Sequence, residues 1–579
     1  MQATLMKPLQ IFAIVLLVGV WCATASAGML EDRVHETILD NGLRVLVVER
    51  HSAPVFFSLI TFRVGSCQEL PNHTGLSHFL EHMLFKGTKN VGTTNYKKEA
   101  PIMAKLEDVA GRMKTLQQSM EPWRFDKFDE FANQVKAALP DSVRNQIGSD
   151  VAAAWRATLE RLPSDTSTLP EEWLQTPWLI ADRDRSYWQD FLGIVNLRAQ
   201  LWELMAEQKQ YITAGEPLDA IYDVHGSAMH NAFTSPDMTA YMVGLPSNCL
   251  ELFMYLESDR FQDPVFREFY TERDVVAEEL RMGENEPDEV LYDTYVSAVF
   301  QGHPYGRPVV GWLSDIQTTL RTDMEAHFWR YYTPNNCQIT IVGDVDSEQV
   351  FKLARRYFDS WKPGTPSSEV TMVQPDQKGE QRLVVEFDAE PQVMIGYHTP
   401  VMPNPDAYTL EMLDNILSSG RTSRFYRNIF AGKGLTAGSP WTSTMPSDRY
   451  PNEFTVGAVP KAPHTAGEVE TAIYEELERL KTEPVSDREL ERVKNRYKFW
   501  ELGRLRSNQA LAFTLSGAFG IRGDWRTVEE NFNRLMAITP QDIQRVAQKY
   551  FTPENRTVVT LVKKEKPPTE NATMPEMEE

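Results

Sequence analysis

Short apolar runs separated by turn residues give the start of the chain a β-strand pattern. Apolar segments near 37–39 and 43–48 flank an Asp-Asn-Gly turn at 40–42, and Asn-Gly between two such segments is a strong hairpin signal. A further apolar run covers 54–60. The pattern predicts three strands between about 34 and 62, the first two paired as a hairpin.

The spacing of apolar residues becomes helical over residues 75–85. At about 100° per residue, one helix face collects the apolar side chains Leu76, Phe79, Leu80, Met83 and Leu84. The roughly opposite face carries His78, Glu81 and His82. We predict a helix that buries its apolar stripe and presents two imidazoles and one carboxylate to a cleft.

The polar face of this helix suggests metal chemistry. Residues four apart share a helix face, so His78 and His82 can bind one ion with Glu81 beside it. The spacing His-x-x-Glu-His is the inverzincin pattern of zinc peptidases. Because a catalytic zinc normally has three protein ligands, two alternatives stay open here. The segment is either a pair of surface histidines beside a glutamate, or part of a site completed from elsewhere.

A second helix, predicted over 270–282, carries acids that could complete such a site. Glu272 and Glu279 lie two turns apart on one face, which they share with the apolar residues Val275, Val276, Leu280 and Met282. Glu278 falls on the opposite, charged side, where we expect it to be solvated. Buried carboxylates are costly unless they are paired or bind metal, so Glu272 and Glu279 belong to a structural salt bridge or to a metal site.

The rest of the chain has the pattern of two strand-and-helix units. Strand patterns recur at 231–235, 240–243, 338–344, 382–387 and 393–398, with a helix at 249–261. The second unit echoes the first without its His/Glu helix. We predict a first domain at 28–363 with a helical insertion at about 95–216, a linker at 364–379 and a second domain at 380–564. The charged end, 565–579, is predicted to be disordered.

The net charge and the N-terminal segment limit the partners and the cellular location that we expect for this protein. With 59 Lys+Arg against 81 Asp+Glu the formal net charge is −22, which argues against nucleic acid and anionic membranes and mildly favours basic or unfolded peptides. Lys7, the apolar run 11–21 and Ala-Ser-Ala at 25–27 predict a signal peptide, 1–27, and a periplasmic or secreted protein. An uncleaved anchor is the alternative. Three widely spaced cysteines follow the predicted signal peptide, and we predict that they are buried free thiols: Cys67, Cys249 and Cys337.

Four segments together resemble the pitrilysin/insulinase superfamily of inverzincin metallopeptidases. They are residues 78–88, Asn-Ala-Phe-Thr at 231–234, residues 272–279, and His-Pro-Tyr-Gly at 303–306. The resemblance is strongest to the two-domain branch that includes the β subunit of the mitochondrial processing peptidase. It implies an α+β fold in which two homologous α/β-sandwich domains, each a mixed sheet with helices packed on one side, form half of a clamshell.

The resemblance also implies the roles of individual residues. His78, His82 and Glu279 would bind one Zn²⁺ per chain, Glu81 would activate water, and Glu272 would support the site. An extended peptide substrate would lie beside the sheet edge formed by Asn231, Ala232, Phe233 and Thr234. The expected activity is zinc-dependent endopeptidase cleavage of extended or unfolded peptides. The alternative is a non-catalytic scaffold or peptide-binding subunit of the same fold.

One departure from the family pattern bears on partners. Many active relatives carry an Arg and a Tyr, seven residues apart, that contact substrate from the second domain. This chain has Phe430 and Ala437 where that pair aligns. We therefore expect a zinc-less homologous partner chain in a heterodimer, with a homodimer as the alternative.

Overall fold

The computed structural model describes residues 30–119, 151–162, 187–213, 215, 217–366 and 369–564. Within them the chain forms two mixed β-sheets surrounded by helices, as the resemblance predicts. The predicted signal peptide, the C-terminal tail and much of the predicted insertion lie outside the described residues. No helix among the described residues is both long and apolar enough to cross a bilayer.

The first sheet has six strands in the order β1-β2-β6-β3-β5-β4. They are β1 (His35–Ile38), β2 (Arg44–Glu49), β3 (Val55–Phe62), β4 (Met229–Thr234), β5 (Thr239–Pro246) and β6 (Cys337–Gly343). The first two pair as the predicted antiparallel hairpin, and β2 pairs with β6 in parallel. The strand β4 pairs with β5 and lies at one edge of the sheet.

Helices cover this sheet and form the region predicted as an insertion. They are α1 (Leu76–Met83), α2 (Tyr96–Gln118), α3 (Val151–Arg161), α4 (Tyr187–Lys209), α5 (Pro217–Val224), α6 (Leu250–Gln262), α7 (Phe269–Gly283), α8 (Pro287–Val299), α9 (Leu313–Thr318), α10 (Arg321–Tyr331) and α11 (Ser347–Phe358). The helix α4 packs on both α2 and α3, and the described part of the predicted insertion is helical. All three cysteines are buried and free, as expected.

The second sheet has five strands in the order β7-β11-β8-β10-β9. They are β7 (Gln381–Phe387), β8 (Gln392–Thr399), β9 (Trp441–Met445), β10 (Asn452–Ala458) and β11 (Arg556–Lys563). Its helices are α12 (Pro405–Ser418), a π-helical turn (Tyr426–Lys433), α13 (Ala466–Thr482), α14 (Asp487–Arg504), α15 (Asn508–Arg522), α16 (Thr527–Ala537) and α17 (Pro540–Tyr550). This half repeats the strand-and-helix plan of the first.

One helix from each half of the chain packs against the sheet of the other half. The apolar side of α15, with Leu511 and Leu515, packs on the second face of the first sheet against Leu46 and Leu59. Conversely α8 packs on β7 and β11 of the second sheet. Both faces of each sheet are therefore covered, one by local helices and the other by a helix from the opposite half. The predicted boundaries at 363 and 380 therefore separate the two sheets, but each sheet packs against a helix from the other half of the chain.

Candidate metal centre

The helix α1 is fixed at its start by a buried acid that the sequence did not single out. Gly75 precedes it with φ of 80°, a backbone conformation that favours glycine. Both the amide of Gly75 and that of Ser77 donate to the buried carboxylate of Glu69, at 2.8 and 2.6 Å. Burial raises the pKa of Glu69 to about 8, whereas these two bonds favour its charged form. Glu69 thus sets the position of the helix that carries the histidines.

The predicted faces of α1 are present. Its apolar residues are buried in the first core, as predicted: Leu76, Phe79, Leu80, Met83 and Leu84. The imidazoles of His78 and His82 project from the other side with ring centroids 4.7 Å apart. The apolar stripe therefore anchors the helix and leaves the polar face for chemistry.

The side chain of Glu279, on α7, meets both imidazoles. Its carboxylate oxygens lie 3.7 Å from Nε2 of His78 and 3.8 Å from Nε2 of His82. One donor atom from each of these three residues lies within 4.8 Å of the other two. Ligands about 2.1 Å from a tetrahedral ion stand about 3.4 Å apart, so the observed separations suit a small cation.

Burial of His78 gives a second indication that a cation fits. Burial and the neighbouring His82 lower the pKa of His78 to about 4, so the ring is neutral and can donate a lone pair at neutral pH. Its Nδ1 is buried and has no hydrogen-bond partner among the described residues. The neutral ring is the form that binds a metal through Nε2, whereas the unpaired Nδ1 carries a cost of about 1–3 kcal/mol that a bond at Nε2 does not remove.

The other ligand ring is oriented by a chain of polar contacts. Nδ1 of His82 lies 3.0 Å from Glu272, whose second oxygen lies 2.9 Å from Nζ of Lys86. Burial lowers the pKa of His82, but the bond to Glu272 and the neighbouring acids together raise it above its usual value. A carboxylate on one imidazole nitrogen is the usual arrangement behind a metal-bound histidine, and it leaves Nε2 directed at Glu279.

The carboxylate of Glu81 is held at the sheet edge. Thr234, the last residue of β4, donates its hydroxyl to Glu81 at 2.6 Å. Burial raises the pKa of Glu81 above its usual value, although the Thr234 bond and His82 oppose this. A carboxylate with a raised pKa is a better proton acceptor near neutral pH. The edge strand and the helix thus place a candidate base beside the three donor atoms.

The two acids of α7 differ in exposure, contrary to the prediction that both lie in a buried apolar stripe. The side chain of Glu272 is 12% exposed, whereas that of Glu279 is 47% exposed. Val275 and Met282 are exposed as well. The stripe fails to be buried here because this part of α7 borders a cleft rather than the core. Glu278, 68% exposed and paired with Arg281, is solvated as predicted.

The cleft beside Glu279 has a volume of about 850 Å³. It is lined by α7, α8, α9 and by Trp202 of the insertion helix α4. Several acids border it, among them Asp274, Glu289 and Asp293. The insertion therefore contributes to the wall of the cleft that Glu279 lines.

The second half has no equivalent donor set on the matching helix. The helix α12 carries no histidine, and its Asp414 accepts the hydroxyl of Thr442 on the edge strand β9, much as Glu81 accepts that of Thr234. Phe430 packs on Tyr426 with ring centroids 5.2 Å apart, and Ala437 is exposed. Neither side chain provides the charge or hydroxyl of the Arg/Tyr pair that the resemblance implies.

Two profiles of known protein families match parts of the chain. The profile of the insulinase family, peptidase family M16, matches residues 44–114 and 198–311, and that of the peptidase M16 inactive domain matches 319–497. The chain belongs to peptidase family M16. The stretch 115–197, left unmatched, lies within the predicted insertion.

Relatives in the family carry related names. The zinc protease PqqE of Helicobacter pylori is 28% identical over 377 residues, covering 64% of this chain and 84% of that protein. An uncharacterized zinc protease of Mycobacterium leprae is 30% identical over 233 residues, 38% of this chain and 51% of that one. These M16 relatives are named for zinc and proteolysis.

Solved structures show the same fold. A protease from Helicobacter pylori superimposes with a TM-score of 0.66 at 22% identity, over 91% of this chain and 99% of that one. The periplasmic protease PqqL of Escherichia coli gives 0.61 at 15% identity, over 92% of this M16 chain and 47% of PqqL. The predicted two-domain M16 architecture is confirmed.

Spacing along the sequence singled out His78, His82, Glu272 and Glu279, and the family resemblance implied Glu279 as the third ligand. The fold brings His78, His82 and Glu279 together. Glu81 and Glu272, also named from the sequence, contact Thr234 and His82 respectively. Two supporting residues were missed. Lys86 lies in the bend that follows α1, beyond the helix end at Met83, so helical spacing does not predict its contact with Glu272. Glu69 acts through backbone amides across a loop and leaves no periodic signal.

Proposed function

We propose that this M16 protein is a zinc-dependent endopeptidase that hydrolyses extended or unfolded peptides. The observation that carries the proposal is the convergence of His78, His82 and Glu279 beside the carboxylate of Glu81. The names of its M16 relatives support zinc and proteolysis as the chemistry.

His78, His82 and Glu279 would hold the zinc. Zinc in such a site supplies Lewis acidity to the scissile carbonyl and lowers the pKa of bound water to about 7. The two imidazoles act as neutral donors, and Glu279 removes one unit of charge. Glu272 keeps the proton of His82 on Nδ1, which leaves Nε2 free to donate its lone pair. Lys86 offsets the charge of Glu272.

Glu81 would move the proton. It accepts a proton from the attacking water and returns it to the leaving amine, the usual work of a general base and acid. The hydroxyl of Thr234 fixes the orientation of its carboxylate. Burial raises the pKa of Glu81 above its usual value, which makes its carboxylate a stronger proton acceptor than that of an exposed glutamate.

The edge of β4 would hold the substrate. Residues Asn231 to Thr234 end this strand, and the described residues place no strand against its outer edge. An extended peptide can pair with such an edge through backbone hydrogen bonds, which recognises an unfolded segment more than a particular sequence. The scissile bond would then lie close to Thr234 and Glu81.

Replacement of Glu81 tests the reaction directly. Glu81→Gln keeps the shape and the three donor residues, so it should retain zinc and lose cleavage of a denatured protein substrate by a factor of about 10²–10⁴. The matched control is the exposed Glu278→Gln, which should keep both. A Glu81→Gln protein that still cleaves would refute the mechanism. A wild-type protein that holds no zinc and cleaves nothing would favour the scaffold alternative.

We propose further that a second chain completes the site, since Phe430 and Ala437 cannot contact substrate as Arg and Tyr do. A zinc-less homologue is the expected partner, and a homodimer the alternative. Full activity of the purified chain as a homodimer would count against the heterodimer. Export to the periplasm or outside the cell is proposed from the N-terminal sequence pattern, and N-terminal sequencing of the mature protein tests it.

A further inference from the structure

The side chains of β4 alternate between two different environments. Thr234 and Ala232 point toward α1, the first to Glu81 and the second into the main core. Phe233 points to the other face of the sheet, where its ring stacks on Phe513 with centroids 6.1 Å apart. Alternation of this kind is a property of every β-strand, so a peptide paired with the edge of β4 must also direct every second side chain away from the metal centre.

On the sheet face opposite α1, residues from the C-terminal half of the chain cover the edge strand β4. Met229, at the start of β4, lies with its sulfur 3.6 Å from Nε2 of Gln509 on α15. Phe513, one turn further along α15, lies between Phe233 and Phe57. The first turns of α15, which follow its junction with α14, therefore flank β4 from Met229 to Phe233.

A groove is open at this junction. Its volume is about 510 Å³, and it is lined by Arg504, Ser507, Gln509, Ala510, Phe513 and Thr514. The charge of Arg504 is partly neutralised by Glu501 at 2.9 Å, and its Nε donates to Thr514 at 3.2 Å. The groove thus combines an aromatic floor with a polar rim that already has hydrogen-bond partners.

We propose that the α14–α15 groove is a substrate subsite that receives a bulky apolar side chain from a peptide held on the edge of β4. The inference rests on the proposed function for the site at Glu81. It assigns a specificity role to Gln509 and Phe513, residues of the half that lacks the zinc motif. The two sides of the substrate would be bound by different halves of the chain.

The position of the subsite along the peptide follows from strand geometry. Gln509 contacts Met229, five residues before Thr234, and a strand advances about 3.4 Å per residue. The Gln509 end of the groove therefore lies about 17 Å from Thr234 along β4, whereas the Phe513 end lies beside Phe233. The side chain that the groove receives belongs to a residue within about five positions of the scissile bond.

Binding of peptides to the Glu81→Gln protein tests the subsite without depending on cleavage. The probes are fluorescein-labelled Ala/Ser-rich peptides in which a single Leu, Lys or Glu is moved through every position, with affinity read by fluorescence anisotropy. We expect Leu to bind about tenfold more tightly than Lys at one position only, since hydrophobic pockets discriminate by about 10–200-fold.

Charged substitutions at Gln509 test whether this residue lines the proposed subsite. Adding Gln509→Glu should raise the affinity for Lys at that position, and Gln509→Lys should raise it for Glu, whereas Phe513→Ala should lower the preference for Leu. The matched control is Gln541→Glu on α17, which packs on α12 and α13. Gln509 is exposed, so its variants should fold normally.

The outcomes separate the two proposals. A positional preference that follows the charge at Gln509 supports the subsite. Unchanged preferences at every position in both Gln509 variants overturn it, whether or not the wild-type protein cleaves peptides. Cleavage by the wild-type protein is measured separately and bears on the proposed function alone.

Discussion

Nδ1 of His82 lies 3.0 Å from Oε1 of Glu272, a residue 190 positions further along the chain. This contact joins α1 to α7 and fixes which nitrogen of His82 faces Glu279. Because Glu272 also contacts Lys86, the three side chains form a connected support behind one metal-ligand candidate. Replacing one of these side chains therefore tests what it contributes to metal binding.

Replacing Glu272 should weaken zinc binding without abolishing it. Glu272→Gln still accepts a hydrogen bond from His82 but lacks the charge, and loss of such a partner typically costs 10–100-fold in metal affinity. Competition with a chromogenic chelator measures the zinc affinity. The same affinity in Glu272→Gln and wild type would show that the contact with His82 does not orient a ligand.

Two adjacent glutamates on α7 should behave differently. Glu279→Gln removes a carboxylate next to both imidazoles, so the purified variant should contain little zinc. Glu278→Gln alters a solvated residue paired with Arg281 and should keep full zinc content. Elemental analysis of both variants makes the comparison. Equal zinc content in the two would mean that Glu279 is not a ligand.

Glycine is required at the start of α1. A Cβ at Gly75 would meet the carbonyl oxygen of Val310 at 2.2 Å, and the residue has a φ of 80°. Gly75→Ala should therefore destabilise the protein, by about 1–3 kcal/mol, and disturb the helix that carries both histidines. Thermal unfolding measures the effect.

The control for Gly75 is a glycine in open space. Gly111 lies within α2, and a Cβ there would meet no atom within 4 Å. Gly111→Ala should leave the protein as stable as wild type or more stable by up to about 1 kcal/mol, since alanine is the better helix former. Equal effects of the two substitutions would contradict the steric argument.

Stability should depend on pH through an acid on α12, in the second half of the chain. Burial, together with Asp414 and Asp448, raises the pKa of Glu411 to about 7. In the unfolded chain this carboxyl ionises near pH 4.5, so folding becomes less favourable as the pH rises from about 4.5 to 7. Glu411→Gln should be more stable than wild type at pH 8, by an amount on the order of 1–3 kcal/mol.

The difference at Glu411 should shrink as the pH falls toward about 4.5, below which the wild-type carboxyl is mostly protonated in both states. Chemical denaturation at pH 5 and at pH 8 measures it. The exposed Glu554→Gln serves as the control and should match wild type at both values. A Glu411→Gln protein that is less stable at pH 8 would show that the charged carboxylate is stabilising.

Local periodicity was sufficient to predict the elements of the site. The stripe from Leu76 to Leu84 and the two-turn spacing of Glu272 and Glu279 are properties of single helices, so both helices could be placed before the fold was known. The two mixed sheets were likewise expected from the resemblance. The pairing of α1 with α7 was implied by the family resemblance, because periodicity alone does not bring distant helices together.

Other features depend on long-range packing and had no local signal. The exposure of Glu279 follows from the cleft formed by α7, α8 and α9. The exchange of α8 and α15 between the sheets depends on which amphipathic helix reaches which uncovered face, and several helices of this chain would satisfy the pattern equally. The contact of Gln509 with Met229 is a consequence of that exchange.

Anomalous diffraction from crystals of the purified protein, recorded above and below the zinc absorption edge, tests the central claim most directly. The account predicts one peak per chain, about 2.0–2.2 Å from Nε2 of His78, Nε2 of His82 and an oxygen of Glu279. A zinc-supplemented crystal with no peak between these three side chains would contradict it.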